Sequence, residues 1–238
     1  MSQSRLPVFD YGQVLPLGFR FPARMSVLPL GAGKLALVSP IPIDEALAAA
    51  IAELGRVELL IAPNLLHHLY LDAAARRYPE ARVLAPSQLR RKRPHLRIHT
   101  PLEQGLPPEL TAAVDVVPIE GVPALDEFAF FHRATRTLIL TDLVFNVHRP
   151  RGFWAHLMLF IGGCHGRLAS SRVLRVFVKD RTAARASVER LLALPFETLV
   201  VAHGDIIEEG ARSQLEQALA WLKPSRKALP LASSGAER

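Results

Sequence analysis

Four side chains able to bind a metal stand at three equivalent places in the sequence. His67 and His68 follow the apolar run Val57–Ala62, Asp142 follows Thr137–Thr141, and His203 follows Thr198–Ala202. Each run is short, apolar and rich in β-branched or leucine side chains, the pattern of a buried strand. In a layered α/β chain, polar groups just past the carboxyl ends of strands gather on one edge. Three imidazoles and a carboxylate gathered there form a ligand set for zinc, iron or manganese. A metal so held can bring the pKa of a water toward neutrality and open hydrolysis of esters, lactones, amides, thioesters or phosphoesters. Four protein ligands would instead close a tetrahedral zinc, as structural sites do. Catalysis would then need a fifth position, or Asp142 acting as the base. Singly, each residue has an ordinary reading: His67-His68 can cap the helix they open, Asp142 can cap the segment after it, and His203 can be a turn histidine.

The elements that must position these groups can be read along the chain. Met25–Leu30 and Leu35–Val38 form a hairpin around Gly31-Ala32-Gly33-Lys34. Asp44 caps a helix with Leu47, Ile51 and Leu54 on one face, ended by Gly55. Val57–Ala62, a helix ending at Tyr78, and the run Arg82–Ala85 make a βαβ unit. The stretch Leu102–Pro108 reads as loop and Val114–Ile119 as strand. Glu127–His132, with three phenylalanines, pairs with Thr137–Thr141 across a turn at Arg133–Arg136. Asp180 caps a helix running to Leu194, and Leu215, Leu219 and Leu222 mark a last amphipathic helix. Residues 1–223 are expected to be one domain, and 224–238, rich in proline, serine, alanine and charge, a loose tail.

The order of these pieces resembles the metallo-β-lactamase superfamily over roughly Met25–Leu222. The loop Pro63-Asn64-Leu65-Leu66-His67-His68 resembles that family's His-x-His-x-Asp-His motif. Pro63 and Leu65 replace its first two histidines, His67 stands on its aspartate, and His68 on its last histidine. Gly121-Val122 resembles the later Gly-His element with its histidine lost. Thr141-Asp142 keeps the aspartate of the Gly-Asp element, and His203-Gly204 matches the final histidine. The resemblance implies an αββα sandwich that has lost all three ligands of the family's first metal. It implies a second site made of His67, His68, Asp142 and His203, hence one divalent ion, zinc first and iron or manganese after it. The strings Ala62–His68, Lys92-Arg93, Thr141-Asp142-Leu143 and Ala202–Asp205 resemble an uncharacterised bacterial branch of the superfamily, a domain of unknown function. Hydrolysis is the superfamily's commonest reaction, so the expected function is a mononuclear metal-dependent hydrolase. A metal-stabilised binding or scaffold protein of the same fold is the alternative, and oxygen or redox chemistry with iron a third.

Around this site, Asn64 and His148 are expected to support the ligands, and Lys92 and Arg93 to meet an anionic group on a small-molecule substrate. The densest basic cluster is Arg90-Arg91-Lys92-Arg93 within a net charge of +7. It lacks interleaved aromatic residues, so nucleic acid is not favoured as a partner. Cys164 is the single cysteine, which excludes an internal disulfide and suits a reducing, cytoplasmic setting. No signal-peptide pattern is visible at the start. The longest apolar run, Phe153–Cys164, is too short to span a bilayer. It is expected to be a buried or lid helix, with membrane contact the lesser alternative because Arg149, Arg151 and Arg167 flank it.

Overall fold

The computed structural model describes residues 5–15, 19–150 and 152–223. The expected loose tail at 224–238 and the flanking Arg151 lie outside them. Strands β1 (Val8–Leu15), β2 (Phe19–Gly31), β3 (Lys34–Val38), β4 (Arg56–Ile61), β5 (Arg82–Ala85) and β6 (Thr100–Pro101) form one sheet in that spatial order. The first three run antiparallel, and β3 through β6 run parallel. The second sheet has the order β10-β9-β8-β7, from β7 (Val114–Pro118), β8 (Phe128–His132), β9 (Thr137–Leu140) and β10 (Thr198–Val201). Its β9 and β10 are parallel, although the whole stretch 141–197 lies between them.

Side-chain alternation explains how the sheets stack. Leu35 and Leu37 of β3 face the helices α1 (Glu45–Leu54) and α2 (Leu71–Arg77), where Ile51, Leu71 and Ala74 meet them. Ala36 and Val38 face the other way, into a layer shared with Phe128 and Phe130 of β8 and Val200 of β10. Across β8, Ala129 and Phe131 turn instead toward α7 (Arg181–Ala193) and α8 (Ala211–Ala218), where they share a core with Val188, Leu191 and Leu215. The layers are therefore helices, sheet, sheet, helices. The αββα sandwich expected from the sequence is the observed fold.

Local signals act where they were read. The Asp44 carboxylate accepts from Leu47 N and the Asp180 carboxylate from Thr182 N and Ala183 N, so both helices start at their caps. Three elements exceed the sequence reading. β1 pairs along its whole length with β2, which itself begins well before Met25. The helix α4 (Pro108–Ala113) starts at the proline where the Leu102–Pro108 loop ends. The basic cluster forms a helical turn, α3 (Leu89–Lys92). The apolar run Phe153–Cys164, expected to be a buried or lid helix, holds α5 (Phe153–Gly162), and α6 (Arg172–Phe177) follows it. Among the described residues, no helix is long and apolar enough to cross a membrane.

Phe130 is fully buried in the layer between the two sheets. Phe130→Ala should cost about 3–5 kcal/mol of folding stability, because the rigid sheets on either side cannot collapse into the void. Urea unfolding followed by circular dichroism measures this. A loss under about 1 kcal/mol would show that the sheets do not pack face to face there.

Candidate metal centre

The carboxyl ends of β3, β4, β9 and β10 open onto one edge of the sandwich, and the candidate ligands stand there. His67 Nε2 lies 3.2 Å from Asp142 Oδ2, His203 Nε2 lies 3.3 Å from Asp142 Oδ1, and the two Nε2 atoms are 3.0 Å apart. Atoms bound at 2.0–2.1 Å to one tetrahedral ion are spaced by about 3.3 Å. The observed separations match that spacing. His67, Asp142 and His203 are also the group of metal-ligating side chains found within ligand range of one another among the described residues.

Each ligand is held from behind. His203 Nδ1 is 2.6 Å from the Pro22 carbonyl oxygen. A carbonyl only accepts, so Nδ1 carries a hydrogen and Nε2 is the nitrogen left facing the site. The ring of Phe145 stacks on this imidazole at 5.2 Å and 7°. His67 Nδ1 meets the Ser39 hydroxyl at 2.5 Å. A hydroxyl both donates and accepts, so Ser39 can hold His67 in either tautomer. Ser39 itself has φ +57°, a turn that takes the chain sharply away from β3.

Asp142 is set by two other buried side chains. Asn64, fully buried, donates through Nδ2 to Asp142 Oδ2 at 2.7 Å and to Thr141 Oγ1 at 3.0 Å. Its Oδ1 accepts from the backbone N–H groups of Leu66 and His67, both at 2.8 Å. One amide thus shapes the His67 loop and fastens it to the Asp142 loop. Beneath them, the Glu127 carboxylate accepts from the backbone N–H groups of Thr141, Asp142 and Leu143 at 2.7, 2.9 and 3.0 Å. Burial, reinforced by the charge of Asp142, pushes the Glu127 carboxyl up to about 7. Burial also works against ionisation of Asp142. The facing imidazoles of His67 and His203 outweigh it and hold Asp142 well below the usual carboxylate range.

The His203 turn depends on a glycine. Gly204 has φ +110°, and a Cβ there would lie 2.0 Å from the Asn146 carbonyl oxygen. That oxygen accepts from Asp205 N at 2.8 Å, and Asn146 N donates to the His203 carbonyl at 2.9 Å. Arg24, buried and paired with Asp10, donates to the carbonyls of Val201 and Gly204 at 3.0 and 2.7 Å. The β1–β2 hairpin therefore buttresses the last ligand.

The structure brings together three of the four expected ligands and leaves out the fourth. His68 turns away from the cluster, and its Nδ1 accepts from Arg93 Nε at 3.1 Å. Burial, and then the charges of Arg93 and Lys92, lower its pKa and keep the ring neutral for that role. The physical reason is the Asn64 turn, which aims His67 rather than its neighbour inward. Lys92 donates to the Leu65 carbonyl at 3.1 Å, so Lys92 and Arg93 both brace the 63–68 loop. His148 is bonded to Asn146 Oδ1 at 2.9 Å. It lines a neighbouring cavity of about 300 Å³ and does not touch the ligands. Asn64, by contrast, bonds directly to Asp142 and to the backbone of His67. Pro63, Leu65 and Val122, which stand where the resemblance puts three histidines of a first metal, are buried apolar side chains. Ser39, Glu127 and Arg24 were not singled out by sequence. Only Glu127 carried a signal, an acid at the mouth of a fully apolar strand.

His67, Asp142 and His203 form part of the wall of a cavity of about 370 Å³, together with Gln13, Ile41, Leu69 and Tyr70. The wall is mostly apolar, so a ligand would meet few polar groups beyond the cluster itself.

No family model matches the chain, and no curated protein matches it in sequence. Solved structures do match it. A metallo-β-lactamase from Pontibacter korlensis superposes with a TM-score of 0.60 at 12% identity, covering 92% of this chain and 99% of the other. The fold is that of the metallo-β-lactamases. One from Hirschia baltica gives 0.56 at 12% identity, over 91% and 93% of the two chains. The Flv1 flavodiiron core from Synechocystis gives 0.54 at 15% identity, over 90% of this chain and 58% of that one. Identities this low establish the metallo-β-lactamase fold and nothing finer.

Asn64→Ala removes the bond to Asp142 and both acceptor bonds that shape the His67 loop. Zinc affinity should fall about 10–100-fold, as when other groups that orient ligands are lost. Competition titration with a chromophoric chelator measures it, beside a melting curve of the metal-free protein. Unchanged affinity would show that Asn64 serves folding alone. Gly204→Ala should cost more than about 2 kcal/mol of stability, since the new Cβ meets backbone in a left-handed conformation. Chemical unfolding reads that loss directly.

Proposed function

We propose that the chain is a mononuclear metal-dependent hydrolase acting on a small ester, lactone or phosphoester. The observation that carries this reading is the ligand count: two imidazoles and one carboxylate converge on an apolar cavity. Three protein ligands leave a coordination position for water or substrate, as catalytic zinc sites do, whereas structural sites are closed by four. His68 was the residue that would have closed the site, and it is engaged with Arg93 instead. That arrangement favours catalysis over the metal-stabilised scaffold.

A divalent ion held by His67, Asp142 and His203 would supply a Lewis acid and a lowered water pKa. The side chains do the rest. His203 is fixed by the Pro22 carbonyl through its Nδ1–H, with Nε2 turned toward the site. Asp142 is held ionised at neutral pH by its imidazole neighbours, which suits a ligand better than a general base. Leu69, Ile41 and Tyr70 line the cavity and would pack against the apolar part of a substrate. Lys92 and Arg93 act in this reading by holding the ligand loop, and an anionic group on the substrate is not required. The same two-histidine, one-carboxylate pattern also suits non-haem iron, so metal identity is the first thing to establish.

Elemental analysis of the purified protein should find one equivalent of metal, zinc on this reading. His67→Ala with His203→Ala should abolish it, and His68→Ala should keep it. Retention by His68→Ala separates the three-ligand site from the four-ligand one, in which the metal would also be lost. A metal-loaded protein that cleaves no chromogenic ester, lactone or phosphoester faster than its metal-free form would leave the scaffold reading in place.

A further inference from the structure

The helices α5 and α6 touch each other on the outside of the sandwich. Helix α5 buries Ala155, Leu159 and Gly162. Its other side is also apolar: Phe153, Trp154, Met158, Phe160 and Ile161 all face solvent. Helix α6 buries Leu174 and exposes Val173, Val176 and Phe177. Phe153, Phe160 and Val176 are 72, 73 and 77% exposed. A helix apolar all round is normally buried all round. Scattered exposed apolar residues are ordinary, but a continuous group on two packed helices marks a binding face.

Charge identifies the occupant. From Leu143 to Lys179 the chain contains no aspartate or glutamate. Arg149, Arg167, Arg172 and Lys179 are exposed around the two helices. A second copy of the chain would bring this cationic rim against itself, which disfavours self-association. An anionic bilayer offers what both features need, acyl chains for the aromatic and aliphatic side chains and lipid headgroups for the arginines and lysine. Helix α5 is far too short to span a membrane and would lie in its plane. We propose that the α5–α6 face docks this protein on anionic lipid bilayers.

The docking face sits close to the metal centre. Leu159 packs in a cluster with Val147, Cys164 and Ala169, against which Phe145 rests, and Phe145 stacks on His203. That small apolar cluster and Phe145 lie between helix α5 and His203. The docking inference stands apart from the metal reading and would survive its failure.

Co-sedimentation of the full chain with vesicles tests it. The protein should pellet with phosphatidylcholine vesicles containing a quarter phosphatidylglycerol, and bind pure phosphatidylcholine much less. The variant Phe153→Ser, Phe160→Ser, Val176→Ser changes only exposed side chains and should bind the anionic vesicles roughly tenfold less or weaker. Circular dichroism and melting verify that it folds. The variant Arg149→Gln, Lys179→Gln leaves the apolar face intact and should lower binding to anionic vesicles alone. Absence of wild-type binding to the anionic vesicles would overturn the proposal. So would equal binding by both variants. A wild-type dimer that becomes monomeric in the serine variant, with no vesicle binding, would also overturn it and make the face an interface between copies.

Discussion

Two carboxylates buried side by side are the constraint around which this edge of the molecule is built. Asp142 and Glu127 both lie out of water and within reach of each other's charge. An unpaired ion in such a place would cost several kcal/mol. Glu127 is answered by three successive backbone N–H groups, and Asp142 by an amide and two imidazoles. Nearly every other feature of the site serves one of those answers. The amide comes from the end of β4, one imidazole from the loop after it, and the other from the end of β10. Satisfying Asp142 therefore fixes how the strand ends of the two sheets face each other.

The sandwich makes that convergence possible without local strain in most of its parts. Parallel strands leave their carboxyl ends on the same side, and β3, β4, β9 and β10 all do so. Unusual backbone conformations stand in the tight turns that follow. Ser39 and Gly204 both adopt positive φ directly beside a ligand. The hairpin of β1 and β2 then closes the edge, with Arg24 reaching the carbonyls on either side of His203.

Much of this was legible in the sequence because it rests on short-range patterning. The apolar runs that place Asp142 and His203 are short, continuous and rich in β-branched or leucine side chains, and they form strands where expected. The choice between His67 and His68 was not legible. It depends on an Asx-type turn at Asn64 and on Ser39, which follows a different strand and is distant in sequence. Strand β1 was missed because Asp10, Gly12 and Gln13 interrupt its apolar character, and its pairing with β2 supplies what its composition does not. Helix α4 begins at a proline, a residue equally at home in the loop that precedes it. Glu127 was readable in principle. A carboxylate at the start of a buried phenylalanine-rich strand must find several N–H donors, and the neighbouring strand end is the nearest source.

His67, Asp142 and His203 come from both halves of the chain, so an ion held by all three would clasp those halves together. Anything bound by the folded state alone shifts the folding equilibrium by mass action. An ion gripped jointly by His67, Asp142 and His203 would thus make resistance to unfolding a function of free metal concentration. Starved of that ion, the two sheets would lose a tie at one end, and local opening there would expose the loops to proteases. The abundance of the protein would then follow metal supply through its own turnover, with no separate sensor required.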